Sequence, residues 1–265
     1  MKKIKISAAL AIFNEEKNIV DCIESLKGFA NEIVVVDGSS KDRTSELAKK
    51  LRAKVIKTTN KPMFHINKNL AIDNCKGDWI FLIDADERVS KELAIEIKEI
   101  TSKNPKENGF WINRANWFLG GYLTKGGAYP DSVIRLFRRG KGRLPEVSVH
   151  EQVKIDGGIG HLKNDIQHFA DPTFTRYLYR ADRYTDQTAQ YLTKINSGRG
   201  PWPVFYNMIL KPILTFFDIY FRHRGYVDGF RGFIWALFSA AHHFYAYVKY
   251  WETTKKLVLI FCLLA

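Results

Sequence analysis

Short apolar runs alternate with amphipathic stretches over the first hundred residues. Ile4 to Phe13 is an apolar run of the kind that forms a buried strand. Over residues 15–27, Ile19, Cys22, Ile23 and Leu26 share one helical face, and Gly28 closes that helix. Glu32 to Val36 predicts a second strand ending at Asp37-Gly38, and residues 41–52 a helix with Leu47, Ala48 and Leu51 inward. Lys54 to Thr58 predicts a third strand, residues 65–75 a helix, and Trp79 to Ile83 a fourth strand ending at Asp84. Ser90 has the side chain to cap a helix running through Ile100. This strand–helix rhythm predicts an α/β fold with a mostly parallel, twisted sheet flanked by helices and joined by right-handed crossovers. Ligands of such sheets bind beyond the carboxyl ends of the strands. Asn14 and Glu15, Asp37, and Asp84 with Asp86 fall at three of those ends.

The pattern changes twice further on. Residues 105–170 alternate more weakly and are rich in glycine and aromatics, which predicts antiparallel strands and loops at one sheet edge. From about residue 172 helical spacing returns, with Thr175 to Thr193 the clearest stretch. The expected division is an α/β domain over 1–170, with a strand–helix half at 1–100 and a second half at 101–170, and a helical appendage over 171–265.

Composition adds a charge argument. The 265 residues carry 41 Lys+Arg against 28 Asp+Glu, a net +13. Such a balance suggests an anionic partner: nucleic acid, a phosphorylated substrate or anionic lipid. Cys22, Cys75 and Cys262 are too few and too scattered for a disulfide framework or zinc cluster, so a reducing cytosol is the simplest expectation. The basic, apolar start resembles a signal peptide, but Asn14, Glu15 and Glu16 interrupt it, and it reads as a first buried strand. No segment offers about 20 apolar residues without polar interruption, the length a membrane span needs.

The sharpest local chemistry is Asp84-Ala85-Asp86-Glu87, directly after an apolar strand. Two carboxylates two residues apart can hold a hard divalent cation, Mg²⁺ or Mn²⁺, that bridges the phosphates of a nucleotide. The competing reading is an acidic turn ahead of the helix from Ser90. Asp37 to Thr44 also follows an apolar strand, and Gly38 permits a tight turn facing a ligand. An ordinary strand–helix loop would look the same.

Taken together the motifs are specific. Phe13-Asn14-Glu15-Glu16, Val34 to Thr44, Asn67 to Ala71, and Gly77-Asp78-Trp79 leading to Asp84-Ala85-Asp86-Glu87 resemble the family 2 glycosyltransferases of GT-A fold in order and spacing. Later pieces resemble the lipopolysaccharide-core β-glucosyltransferase branch: Tyr129-Pro130-Asp131, Arg135 to Arg139, Val149-His150-Glu151, His168, and Gly225 to Gly229. The resemblance implies a UDP-sugar donor, a divalent metal and inversion at the anomeric carbon, and makes 1–170 the catalytic domain, with its nucleotide-binding half at 1–100 and its acceptor half at 101–170. Phe13, Asn14 and Glu15 would line the nucleotide-sugar site, with Glu15 and Asp37 on the uridine. Lys68 would lie near the phosphates, Asp84 at the ribose or a metal-bound water, and Asp86 on the metal. Many relatives carry Arg where Lys68 stands, and Ala11 and Ile12 occupy the place of a frequent proline.

The implied reaction needs a cation against the leaving diphosphate, from Asp86 with metal and from Arg135. It also needs a carboxylate to take the acceptor's proton. Glu151 is the first candidate, in the region where the family places its base, and Asp131 the competitor. His168 would complete the metal shell or serve as a hydrogen-bonded structural histidine. Residues 201–251 hold 17 of the 36 aromatics, and 176–265 hold 12 Lys/Arg against 5 Asp/Glu. That mixture fits helices lying on an anionic membrane surface; packing on the catalytic domain or a homodimer contact is the alternative. The expectation is a cytoplasmic enzyme, peripheral on the inner face of the cell membrane, that moves a hexose, glucose, to a lipid-linked or lipopolysaccharide-core saccharide. A sugar-phosphate nucleotidyltransferase would carry a glycine-rich loop after the first strand, where Asn14-Glu15-Glu16 stand. A nucleic-acid-binding module would not line its ligand edge with carboxylates.

Overall fold

The structure is a computed structural model that describes residues 4–147 and 151–264, with side chains through Thr254. It divides into two compact units, Met1–Ala115 with Asp131–Phe169, and Asn116–Pro130 with Ala170–Ala265. Residues 116–130, expected in the acceptor half of the catalytic domain, thus cluster with the C-terminal helices. Their anchoring explains this: Thr124 and Lys125 donate three hydrogen bonds to the Asp228 carboxylate.

The first unit is built on β1 (Ile6–Ile12), β2 (Glu32–Asp37), β3 (Lys54–Lys57) and β4 (Trp79–Leu82). They run parallel in the order β3-β2-β1-β4. Helices α1 (Ile19–Leu26), α2 (Thr44–Lys50) and α3 (Phe64–Asp73) join them. β1, β2 and β4 are buried on both faces, hence their near-continuous apolar runs, while β3 lies at the sheet edge with Lys54 and Lys57 exposed. One cluster packs Leu10, Val35, Trp79 and Phe81 against α1 and α4 (Lys91–Ser102); the other packs Val34, Val36, Ile80 and Leu82 against α3. Ser90 caps α4, accepting from the Leu93 amide at 3.1 Å. α2 is shorter than predicted, because Asp42 accepts from the Thr44 amide and holds residues 41–43 outside the helix. At the amino end of β4, Gly77 is required: a Cβ there would stand 2.7 Å from the Ser7 amide nitrogen.

Beyond β4 the strands turn antiparallel, as expected. The short β5 (Glu87–Val89) follows the acidic turn, and β6 (Gly109–Phe118) continues into β7 (Gly121–Tyr122). β8 (Ser132–Arg138) inserts between β4 and β6, antiparallel to both. β9 (Gly142–Arg143) pairs with β10 (Lys154–Ile155), and β11 (Ile159–His161) runs parallel to β6. β12 (Ile166–Asp171) returns antiparallel to β5.

The second unit consists of α5 (Phe174–Lys194), a helix over Pro201–Arg222 with π-helical turns at Tyr206–Leu210 and Asp218–Arg222, and a long helix over Gly229–Leu264. Phe118, Tyr177, Phe174, Trp235 and Phe238 form its aromatic core in mostly edge-to-face contacts. Gly232 is fixed by contact: a Cβ there would lie 1.8 Å from the Gly225 carbonyl oxygen. The Pro201–Arg222 helix has the length and composition of a membrane-crossing helix, with mean hydropathy 1.3 and 6% of that stretch buried. Asn207, Lys211 and Asp218 interrupt it, as the sequence showed.

Candidate functional site

The loops after β1 and β2 interlock at the carboxyl edge of the sheet. Asn14 adopts a left-handed backbone, φ 55°, which asparagine tolerates. Its amide donates to Ser40 Oγ at 2.9 Å, and the Lys41 amide donates to Asn14 Oδ1 at 2.8 Å. The Glu15 amide donates to Thr44 Oγ1 at 2.7 Å, while the Glu15 carboxylate accepts from Asn18 Nδ2 at 2.8 Å. Asp37 is buried, and its Oδ1 accepts from both the amide and the hydroxyl of Ser40, at 2.9 and 2.6 Å. Asn14, Glu15 and Asp37 therefore belong to one rigid rim, with Phe13 beside them at 38% exposure.

Beside that rim lies a network of alternating charges. Asp84 Oδ1 stands 2.5 Å from Lys68 Nζ, and Arg135 donates to Asp84 Oδ2 at 2.5 Å and to Glu87 Oε1 at 2.6 Å. The other Glu87 oxygen accepts from the Asp84 amide at 2.9 Å. Arg114 extends the chain, 3.9 Å from Glu87 and 2.8 Å from Asp131. Burial disfavours a charged Asp84, but Arg135 and Lys68 outweigh it and hold the carboxyl well below the usual range. Arg135, expected at the leaving group, is buried and committed to two carboxylates, so its place is beneath Asp84.

Asp86 is different. Its side chain keeps 31% of its exposure and faces His168, with Nε2 3.6 Å from Oδ2. The two meet because β12 pairs with β5, setting His168 opposite Glu87, and because the Phe169 amide donates to the Asp86 carbonyl at 2.8 Å. Burial raises the Asp86 pKa, but hydrogen bonding and charge from His168 overcome this and leave it lowered. Among the described residues no three His, Cys, Asp or Glu side chains are grouped to enclose a metal. One carboxylate and one imidazole suit a cation whose remaining ligands are phosphate oxygens and water, the usual arrangement for Mg²⁺ with nucleotides. The donor set therefore fits the metal that the family resemblance implies.

Of the two base candidates, Asp131 is ion-paired to Arg114 and also accepts from the Arg114 amide through its carbonyl. Glu151 is half-buried and precedes Gln152, whose side chain accepts from the Ile134 amide at 3.4 Å. His150 lies outside the described residues. Three residues emerge to which the sequence assigned no role: Glu87, Arg88 and the Arg114 of the charge network. Glu87 is fully buried and joins Asp84 to Arg135; Arg88 donates to the carbonyls of Ala85 and Glu87, at 2.7 and 2.9 Å, beneath the acidic turn. Glu87 was visible as the last acid of its motif, whereas nothing in the local pattern marks Arg88 or Arg114.

Residues 7–108 match the family model for glycosyl transferase family 2. The lipopolysaccharide core biosynthesis glycosyltransferase LpsC of Rhizobium meliloti is 30% identical over 94% of this chain and 93% of its own. A Rickettsia typhi glycosyltransferase, RT0209, is 28% identical over 95% of this chain and 88% of its own. Among solved structures, S. aureus TarS 1–349 in complex with UDP aligns over 93% of this chain and 88% of that one, at 16% identity and a TM-score of 0.48. With LpsC 30% identical over almost the whole chain, and with residues 7–108 matching the family model, the protein belongs to the family 2 glycosyltransferases.

Proposed function

We propose that this glycosyltransferase moves a hexose, glucose, from a UDP-sugar to a hydroxyl of a lipid-linked or lipopolysaccharide-core saccharide, inverting the anomeric centre. The observation that carries the reading is the division of labour in the acidic turn: Asp84 is held by Lys68 and Arg135, while Asp86 faces His168 and retains solvent access. The LpsC likeness supports the acceptor class.

In this reading the rim of Phe13, Asn14, Glu15 and Asp37 receives the nucleoside. Lys68, tethered to Asp84, marks the phosphate side of the site. Asp86 and His168 would hold Mg²⁺ or Mn²⁺, which when bound supplies positive charge to the departing diphosphate. Glu151 is assigned as base: the acceptor oxygen attacks the anomeric carbon, the bond from that carbon to the diphosphate oxygen breaks, and the hydroxyl proton passes to the carboxylate. Asp131 is assigned to hold Arg114 against Glu87 rather than to take the proton. Arg135 and Glu87 keep Asp84 aligned. The enzyme would work in the cytoplasm, peripheral on the inner face of the cell membrane, where a lipid-linked acceptor is presented.

A panel of UDP-, GDP- and dTDP-sugars, assayed for hydrolysis with Mg²⁺ or Mn²⁺, tests the proposal. UDP-glucose turnover should disappear on chelation, and Asp86→Asn should lose about a hundredfold or more. Glu151→Gln should bind UDP normally and fail in transfer. Turnover that survives both chelation and Asp86→Asn would refute the metal assignment.

A further inference from the structure

The Pro201–Arg222 helix is inside out. Trp202, Phe205, Ile209, Ile213, Phe217 and Phe221 recur every three or four residues, so they form one stripe, and all are 44–65% exposed. The opposite face carries the polar residues. Asn207 is buried, donating to the Pro203 carbonyl at 2.9 Å, and Lys211 is close enough to His242 and His243 to lower both their pKa values. Val204 and Met208 share that inner face, packed against Leu192, Tyr247 and Tyr250. A helix in water places these faces the other way round.

The stripe is about 29 Å long at 1.5 Å per residue, and cations bracket it. Arg222, 76% exposed and ion-paired to Asp218 at 2.6 Å, and the exposed Arg224 stand at one end. Lys194 and Arg199 precede the other, with Arg199 5.3 Å over the Trp251 ring. In a two-fold dimer through this stripe, parallel or antiparallel, cationic ends would face cationic ends. An anionic lipid surface accepts both ends at once.

We infer that the outward stripe of the Pro201–Arg222 helix is the lipid-binding element of this protein, lying along an anionic bilayer with its rings below the headgroups and its terminal cations among them. This rests on the membrane reading above and assigns it to one helix face.

The full chain, without donor, is sedimented with phosphatidylcholine vesicles with and without phosphatidylglycerol. Binding should require phosphatidylglycerol. Ile209→Ser/Phe217→Ser should weaken it about a hundredfold, roughly tenfold for each apolar side chain withdrawn from lipid. Ile95→Ser, an exposed position on α4, should change nothing. Brominated lipid should quench Trp202, seen as the difference from Trp202→Phe. Circular dichroism confirms folding, which exposed positions should not disturb. Unchanged vesicle binding by the double variant overturns the inference, as does a dimer that this variant dissociates while lipid binding stays the same. The transferase reading is judged apart: donor hydrolysis without vesicle binding sinks only the lipid assignment, and vesicle binding without hydrolysis sinks only the transferase.

Discussion

Glu87→Gln is an informative perturbation because shape is conserved while charge and one acceptor are lost. In the protein both carboxylate oxygens are used, one by the Asp84 amide at 2.9 Å and one by Arg135 at 2.6 Å, and the side chain is inaccessible to water. A glutamine amide has one acceptor and one donor end. Whichever way it turns, its NH₂ meets either a backbone N–H or a guanidinium. One buried hydrogen bond is lost and a donor left unsatisfied, about 1–3 kcal/mol. Removing one partner of a buried ion pair costs about 3–5 kcal/mol, but Asp84 still balances Arg135, so the lower end applies. We expect about 3 kcal/mol, or about 6–12 °C in Tm for a unit of this size, read by calorimetry or urea titration. A Glu87→Gln protein melting within about 2 °C of the parent would refute the claim that this network holds the acidic turn.

Two further outcomes follow from the helical unit. Asp228→Asn removes the charge that gathers the Thr124 and Lys125 amides and the Thr124 hydroxyl; it should cost about 1–2 kcal/mol and speed hydrogen exchange at those two amides. His243 is pushed down from 6.5 to about 4, first by burial and then by Lys211 and His242. The unfolded chain then takes up a proton before the folded one. Stability should be flat above the unfolded value and fall as pH drops from 6.5 towards about 4, and His243→Gln should flatten that limb of a Tm-against-pH curve.

The parallel half of the fold was legible because β1, β2 and β4 are buried on both faces and α1 and α4 each carry one apolar face. Ile19, Cys22, Ile23 and Leu26 were assigned inward from spacing alone, and all four are buried. Asn14, Asp37, Asp84 and Asp86 were placed at strand ends by the same reasoning, and the sheet gathers them along one edge. Residues 116–130 were not legible. Their allegiance depends on hydrogen bonds to Asp228, about a hundred positions away, and no local periodicity records a contact of that separation. Arg135 was read as a ligand-facing cation because its motif says nothing of burial. Its environment arises only when β8 inserts beside β4 and carries the guanidinium under the turn. The meeting of His168 with Asp86 likewise needs the β12–β5 pairing, a register that residues 82 apart do not announce.

The alternating chain of Lys68, Asp84, Arg135, Glu87, Arg114 and Asp131 has as many positive members as negative ones. Seen from a distance it is electrically silent, and dissolved ions have little net charge there to screen. Attraction at long range must come from the protein's surplus cations, whereas within the pocket the fixed dipoles and short contacts govern. Ionic strength thus acts on how molecules reach this enzyme far more than on how its acidic turn is held.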